Sequence, residues 1–171
     1  MGKYGYNNYS TRWRVAFSPE QYLTVEGKIF HGQYHNASVA NGSSVTMGIS
    51  VPTNYYPRGF FDVTSDGGIT VEIFEGSTYT GGTTINAINM DRNSSATDHM
   101  TIVHSPTVTD EGTLLDIQYL GGSGFHADVP GLTQSTPMAL KVNTKYIIKV
   151  TNTSGDASKI AVGIYFTEQV P

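Results

Sequence analysis

The chain has 171 residues, with 38% hydrophobic, 11% aromatic and only 14% charged side chains, 19 Gly, 11 Tyr and no Cys. A charged share well below the usual value of roughly 25% excludes a coiled coil and a charge-driven disordered segment. The missing cysteines exclude a disulfide scaffold and any Cys-ligated zinc or iron–sulfur centre. The formal net charge of −4 argues against nucleic-acid binding, because phosphate recognition needs clustered Lys and Arg.

Residues 1–17 read as an extended N-terminal arm, and residues 18–171 as a single β-sandwich domain. The arm mixes Tyr, Gly, Asn and Ser with neither helical nor strand periodicity. It lacks the apolar core of a signal peptide, and Tyr6 stands where a myristoylation pattern needs Ser or Thr. No run approaches the roughly 18 apolar residues of a membrane span. The expectation is a chain that stays in the compartment where it is made. Its sequons, Asn36-Ala37-Ser38 and Asn93-Ser94-Ser95, are then unused.

Beyond the arm, helical signal is confined to one turn at 19–23, and short apolar runs alternate with turn residues. Residues 28–35 carry Ile29, Phe30 and Tyr34 as their large side chains. Asn41-Gly42 is a tight-turn signal leading into 45–51, where Val45, Met47, Ile49 and Val51 alternate. Pro52 and Pro57 bracket a loop holding Tyr55 and Tyr56. Residues 60–64 and 69–74 read as a hairpin closed by Ser65-Asp66-Gly67-Gly68, whose glycines supply positive φ.

A short strand fits 84–90, followed by a polar loop at 91–98. Residues 99–104 alternate, with Met100, Ile102 and His104 on one side, and 112–120 is a further apolar run. The Gly/Pro-rich stretch 121–137 reads as a long loop of the kind that often carries function. A second hairpin joins 144–152, with Tyr146, Ile148 and Val150 on one face, to 159–167 through Thr153-Ser154-Gly155-Asp156. About eight to ten short strands without internal repeats predict an all-β, antiparallel β-sandwich of jelly-roll type.

Candidate chemistry dissolves on inspection. His31 and His35 share a strand face but stand about 13 Å apart along it, too far for one ion. Asp98 adjoins His99, yet no Gly-x-Ser-x-Gly elbow supplies a nucleophile, and Gly122-Ser123-Gly124 reads as a flexible loop. The same glycines lack the Lys-Ser/Thr and following helix of a phosphate-binding loop. Asp110-Glu111 reads as a solvated turn rather than half of a glycosidase pair. The sequence therefore predicts no enzyme, no cofactor and no metal site.

The aromatic residues of the arm are more informative. Tyr4, Tyr6, Tyr9 and Trp13 crowd a segment too poor in aliphatic residues to build a core. They could form an interface, a first strand packed on the sandwich, or a carbohydrate-stacking platform. An interface is favoured, because Tyr and Trp bury a ring while keeping a polar tip satisfied. Arg12 and Arg14 flank Trp13 and add anchors for a carboxylate-bearing surface.

The stretch Leu140-Lys141-Val142-Asn143-Thr144-Lys145-Tyr146-Ile147-Ile148-Lys149-Val150-Thr151-Asn152 looks like a phrase common in tailed-bacteriophage structural proteins, a Leu-Lys-x-Asn-Thr-x-Tyr strand running to Thr-Asn. The following turn and the ending Ile164-Tyr165-Phe166-Thr167-Glu168 are similar to theirs. So are Val71-Glu72-Ile73-Phe74-Glu75-Gly76, Asn89-Met90-Asp91-Arg92-Asn93-Ser94 and the 106–112 approach to the next strand. With His31 and Tyr34, these cover residues 28–168, and the first 27 residues match nothing in the family. The chain resembles the β-sandwich head decoration, or cement, proteins of tailed phages.

The resemblance implies a virion structural protein made in the bacterial host cytoplasm and placed on the outer capsid surface. Its partners are then the major capsid protein and itself, with a homotrimer the simplest ring and a dimer the other option, and neither nucleic acid nor membrane. Such a protein works by binding the expanded shell and shifting the shell's equilibrium by mass action. Related sandwiches serve in phage tails and fibres. The alternative is therefore a carbohydrate- or receptor-binding module using Tyr55, Tyr56 and Phe125 as an aromatic platform.

Overall fold

A computed structural model describes residues 23–24, 26–121 and 137–169. Among these residues thirteen strands follow one another: β1 (Ile29–Val39), β2 (Ser44–Ser50), β3 (Tyr56–Ser65), β4 (Ile69–Glu75), β5 (Thr78–Thr80), β6 (Thr83–Thr84), β7 (Ile88–Asn89), β8 (Thr101–His104), β9 (Thr107–Asp110), β10 (Thr113–Leu120), β11 (Met138–Ala139), β12 (Lys145–Asn152) and β13 (Ser158–Gln169). They form a five-stranded sheet, β11-β3-β13-β1-β7, and a six-stranded sheet, β10-β4-β12-β2-β8-β6. All pairings are antiparallel. The fold is an all-β antiparallel sandwich.

Its core follows from the period-two alternation of strand side chains. Phe30, Phe61, Val63, Val162, Ile164 and Phe166 of the first sheet meet Met47, Ile49, Val71, Ile73, Ile102, Ile148 and Val150 of the second in one buried cluster.

The turns join different partners from those the sequence suggests. Both expected hairpins are arches. β3 pairs with β13 and β11, whereas β4 pairs with β12 and β10, so Ser65-Asp66-Gly67-Gly68 carries the chain from one sheet to the other. The same holds for β12 and β13, and for β1 and β2 across Asn41-Gly42. The order β3-β13-β1 in one sheet mirrors β4-β12-β2 in the other, so the three arches stack side by side. Each run has one apolar face, and an arch lets two such faces meet across the core, where a hairpin would set them side by side.

Gly67 and Gly68 do not adopt positive φ. Gly67 is needed for close approach instead, because a Cβ there would run into Ser158 and lie 2.7 Å from Ser154 Cβ.

Other corrections are local. The strand expected at 84–90 is two short pieces, β6 beside β8 and β7 beside β1, in different sheets. Tyr56 opens β3 rather than sitting in a loop, and 106–112 contains β9. β9 pairs with β5 in a two-stranded ribbon that the sequence reading missed. The ribbon's Tyr79, with Val108 beside it, packs on Phe74, Val103 and Ile147 in a second buried cluster. These three alternate with the core-facing Ile73, Ile102 and Ile148 and so lie on the outer face of the six-stranded sheet. A ribbon this short is not stable alone. Burying those side chains, each at about 1.5–3 kcal/mol, accounts for its docking.

Candidate functional site

The arm residues Tyr4, Tyr6, Tyr9, Arg12, Trp13 and Arg14 lie outside the described residues, as does Phe125. The surface that can be built from its residues upward is carried by the two sheets.

On the outer face of the five-stranded sheet, β1, β13 and β3 run side by side. His31 stands opposite Tyr165, and their rings stack at 3.8 Å with 5° between planes. One row along, Gln33, Gly163 and Asp62 are register partners. Gly163 has no side chain, so His31 and Asp62 reach over it: a Cβ there would lie 2.5 Å from Asp62 Oδ1 and 3.1 Å from His31 Nε2.

The two polar atoms are 3.6 Å apart, an ion-pair distance too long for a hydrogen bond. Both are sealed from solvent and have no hydrogen-bond partner among the described residues. Gln33 Nε2 donates weakly to Asp62 Oδ2 at 3.5 Å. Burial holds the Asp62 carboxyl above the usual carboxylate range, and His31 pulls it partway back. Nε2 and Oδ1 face each other within the sheet, and the pair braces three strands.

His99, set aside with Asp98 as part of a catalytic triad, pairs with Glu168, far along the chain, and not with its neighbour Asp98. Its Nδ1 lies 2.8 Å from Glu168 Oε2, and the same carboxylate accepts the backbone N–H groups of His99 and Met100. Burial, with Glu168 nearby, raises the Asp98 pKa. The His99 ring stacks on Tyr55 at 3.9 Å, and His104 stacks on Tyr34 at 3.9 Å, bridging the two sheets. One face of Tyr55 is thus occupied, while Tyr56 is 49% exposed. His31 and His35 lie on one face of β1, as expected. No group of three potential metal ligands occurs among the described residues.

Asp110 and Glu111 are not a free turn pair. Asp110 Oδ1 accepts the Gly112 N–H at 2.9 Å. Glu111 Oε1 accepts Lys149 Nζ at 2.8 Å, with Glu72 3.9 Å from the same ammonium.

The most unusual surface is β10, an edge strand of the six-stranded sheet. Leu114 pairs with Phe74 and Asp116 with Ile73, so Leu115 is an extra residue, a β-bulge. The bulge turns both leucines outward, 46% and 43% exposed, and Ile117 and Tyr119 follow at 39% and 78%. Asp116 is the single charge on the strand. Edge strands are commonly blunted with Lys or Pro, and β10 has neither. Four apolar side chains beside a backbone edge that no other strand among the described residues pairs with form a surface suited to another protein.

None of the β10 residues was singled out as functional by sequence reading, which saw only an apolar run. The legible signal was Leu-Leu breaking the alternation before Asp116. No protein-family model matches this sequence, and no curated protein matches it.

Proposed function

We propose that this chain is a virion structural protein, a decoration protein that binds the outer surface of a tailed-phage head and stabilises the shell. The exposed apolar band of β10 carries this reading, because contiguous exposed apolar side chains on a sandwich mark a protein–protein contact. The low charge supports it: a surface polar through hydroxyls and amides is covered without stripping many ions of water. The ordered resemblance of residues 28–168 to phage decoration proteins supplies the particle.

On this reading each copy spans neighbouring capsid subunits, so separating them also breaks the contacts of the decoration protein. Preference for the expanded shell then shifts the shell toward that state by mass action. The arm, with Tyr4, Tyr6, Tyr9, Arg12, Trp13 and Arg14, docks on the shell or on a neighbouring copy.

Electron cryo-microscopy of intact particles tests the assignment. Density for the sandwich on the outer face of the head is the expected result. Density confined to a tail tip or fibre, with specific glycan-array binding by the isolated protein, overturns it in favour of a receptor-binding module. Deleting residues 2–14 is expected to reduce capsid occupancy, and unchanged occupancy removes the arm's role.

A further inference from the structure

We infer that two copies of this chain associate through β10, pairing its free edge antiparallel across a two-fold axis at Gln118. This stands on the strand geometry alone, whatever particle or compartment the protein occupies.

The bulge at Leu114–Asp116 ends the regular edge on one side. On the other side the strand ends at Leu120, and Gly121 follows it with φ of +96°. The straight edge is therefore Asp116 to Leu120, and Gln118 is its middle residue. Among the described residues, no strand pairs with its outer side. Unpaired N–H and C=O groups in such a row are a ready template for a strand of matching length.

A second copy matches that length by construction, and the two-fold at Gln118 pairs all five residues. Ile117 and Tyr119 share the sheet's outer face, being the register partners of Glu72 and Thr70. The axis sets each Ile117 against the Tyr119 of the other copy, giving two pairs of β-branched and aromatic side chains, a favourable cross-strand combination. Gln118 faces Gln118; its amide donates one N–H to Asp116 Oδ2 at 3.0 Å within the strand and keeps a second N–H and its carbonyl oxygen, a donor and an acceptor that complement the same pair on the other copy.

The single charge also fits. Asp116 falls opposite Leu120, which leaves the two carboxylates on the order of 13 Å apart along the strands, beyond the Debye length of about 8 Å at physiological salt. A peptide strand from another protein could take the same edge, but would need to supply this pattern by chance. A second copy supplies it by symmetry.

The test uses the full chain, which has no native cysteine. Sedimentation equilibrium is expected to show a monomer–dimer equilibrium. The double variant Ile117→Lys/Tyr119→Lys is expected to raise the dissociation constant at least about tenfold, since each lysine replaces an apolar partner and faces another ammonium. At position 117 the lysine also lies opposite Glu72 within the sheet, which favours the fold. Circular dichroism of the variant is expected to match the parent.

Register is read separately by oxidation. Gln118→Cys is expected to form a covalent dimer, because directly opposed Cα atoms lie about 4.5–5.5 Å apart, within disulfide range. Tyr119→Cys places the two sulfurs on a diagonal and is expected to cross-link far less. A strictly monomeric protein up to its solubility limit overturns the inference. So does an oligomer indifferent to the lysine pair, or cross-linking at 119 in preference to 118.

Discussion

The side-chain amide of Asn152, completely buried at the end of β12, donates to the carbonyl of Val39 at the end of β1 over 2.7 Å. The same nitrogen donates to Asp156 O at 2.7 Å, and Oδ1 accepts the N–H and hydroxyl of Ser154. Asn152 also bonds through its backbone to Gly42 and Ser43, and Thr153 donates to Gly68 O. One residue thus ties together the corner where three arches cross between the sheets. Asn152→Ala is expected to cost about 2–4 kcal/mol, because it strands buried donors and acceptors. A urea denaturation series reads this directly.

The docking of the β5–β9 ribbon depends on a missing methyl group. A Cβ on Gly48 would lie 2.8 Å from Tyr79 Cζ, in the middle of the outer face that the ribbon covers. Gly48→Ala is expected to cost about 1–3 kcal/mol as an overpacking change. Amide exchange is expected to speed up in β5 and β9 well before it does in β12. Uniform loss of protection across the sandwich would contradict a separately docked ribbon.

Two buried tyrosines set an alkaline limit. Burial pushes the Tyr79 phenol up to about 12. For Tyr146 burial does most of the same, to about 12, helped by the Glu75 carboxylate that accepts its O–H at 2.8 Å and opposed by the Lys141 N–H. A raised folded-state pKa favours the neutral phenol, so this stabilisation is complete below the ordinary tyrosine pKa near 10. It is lost as pH rises from there toward 12, at about 1.4 kcal/mol per pH unit for each tyrosine. Denaturation midpoints between pH 9 and 12 measure the slope. Tyr79→Phe is expected to halve it and, by removing a buried hydroxyl with no partner, to stabilise the protein at neutral pH.

Asp62 has the opposite sign at neutral pH. Its carboxyl is raised by burial, so the ionised form that prevails above that range weakens the fold, and the penalty vanishes once acid protonates it in both states. Asp62→Asn is therefore expected to be more stable than the parent at pH 7. The difference is expected to shrink as pH falls through the carboxylate range. Equal stabilities at both ends would contradict a net burial penalty on the carboxylate.

Several strands were legible as strands. Val45 to Val51, Ile69 to Ile73, Tyr146 to Val150 and Ile160 to Phe166 carry the alternation, and the side chains it selects are buried; Ile147, on the opposite face, is buried as well, under the ribbon. What stayed hidden was pairing. Gly67 looked like a positive-φ turn glycine and is a contact glycine, because its constraint comes from Ser154 and Ser158, about ninety residues away in sequence. Thr78 to Thr80 and Thr107 to Asp110 are too short to show a period at all. The His31–Asp62 pair depends on Gly163, a third strand, so no local window could reveal it.

Composition and alternation by themselves determined an all-β chain, most of its strands, which face of each is apolar, and a surface poor in charge. These are local properties, because side-chain periodicity is set by the backbone of one strand. Tertiary structure alone decided that the tight turns are arches, that a ribbon covers one outer face, and that a bulge turns Leu114 and Leu115 outward at the edge of the six-stranded sheet. Those depend on which distant strands share hydrogen bonds, a choice governed by how apolar faces meet across the core.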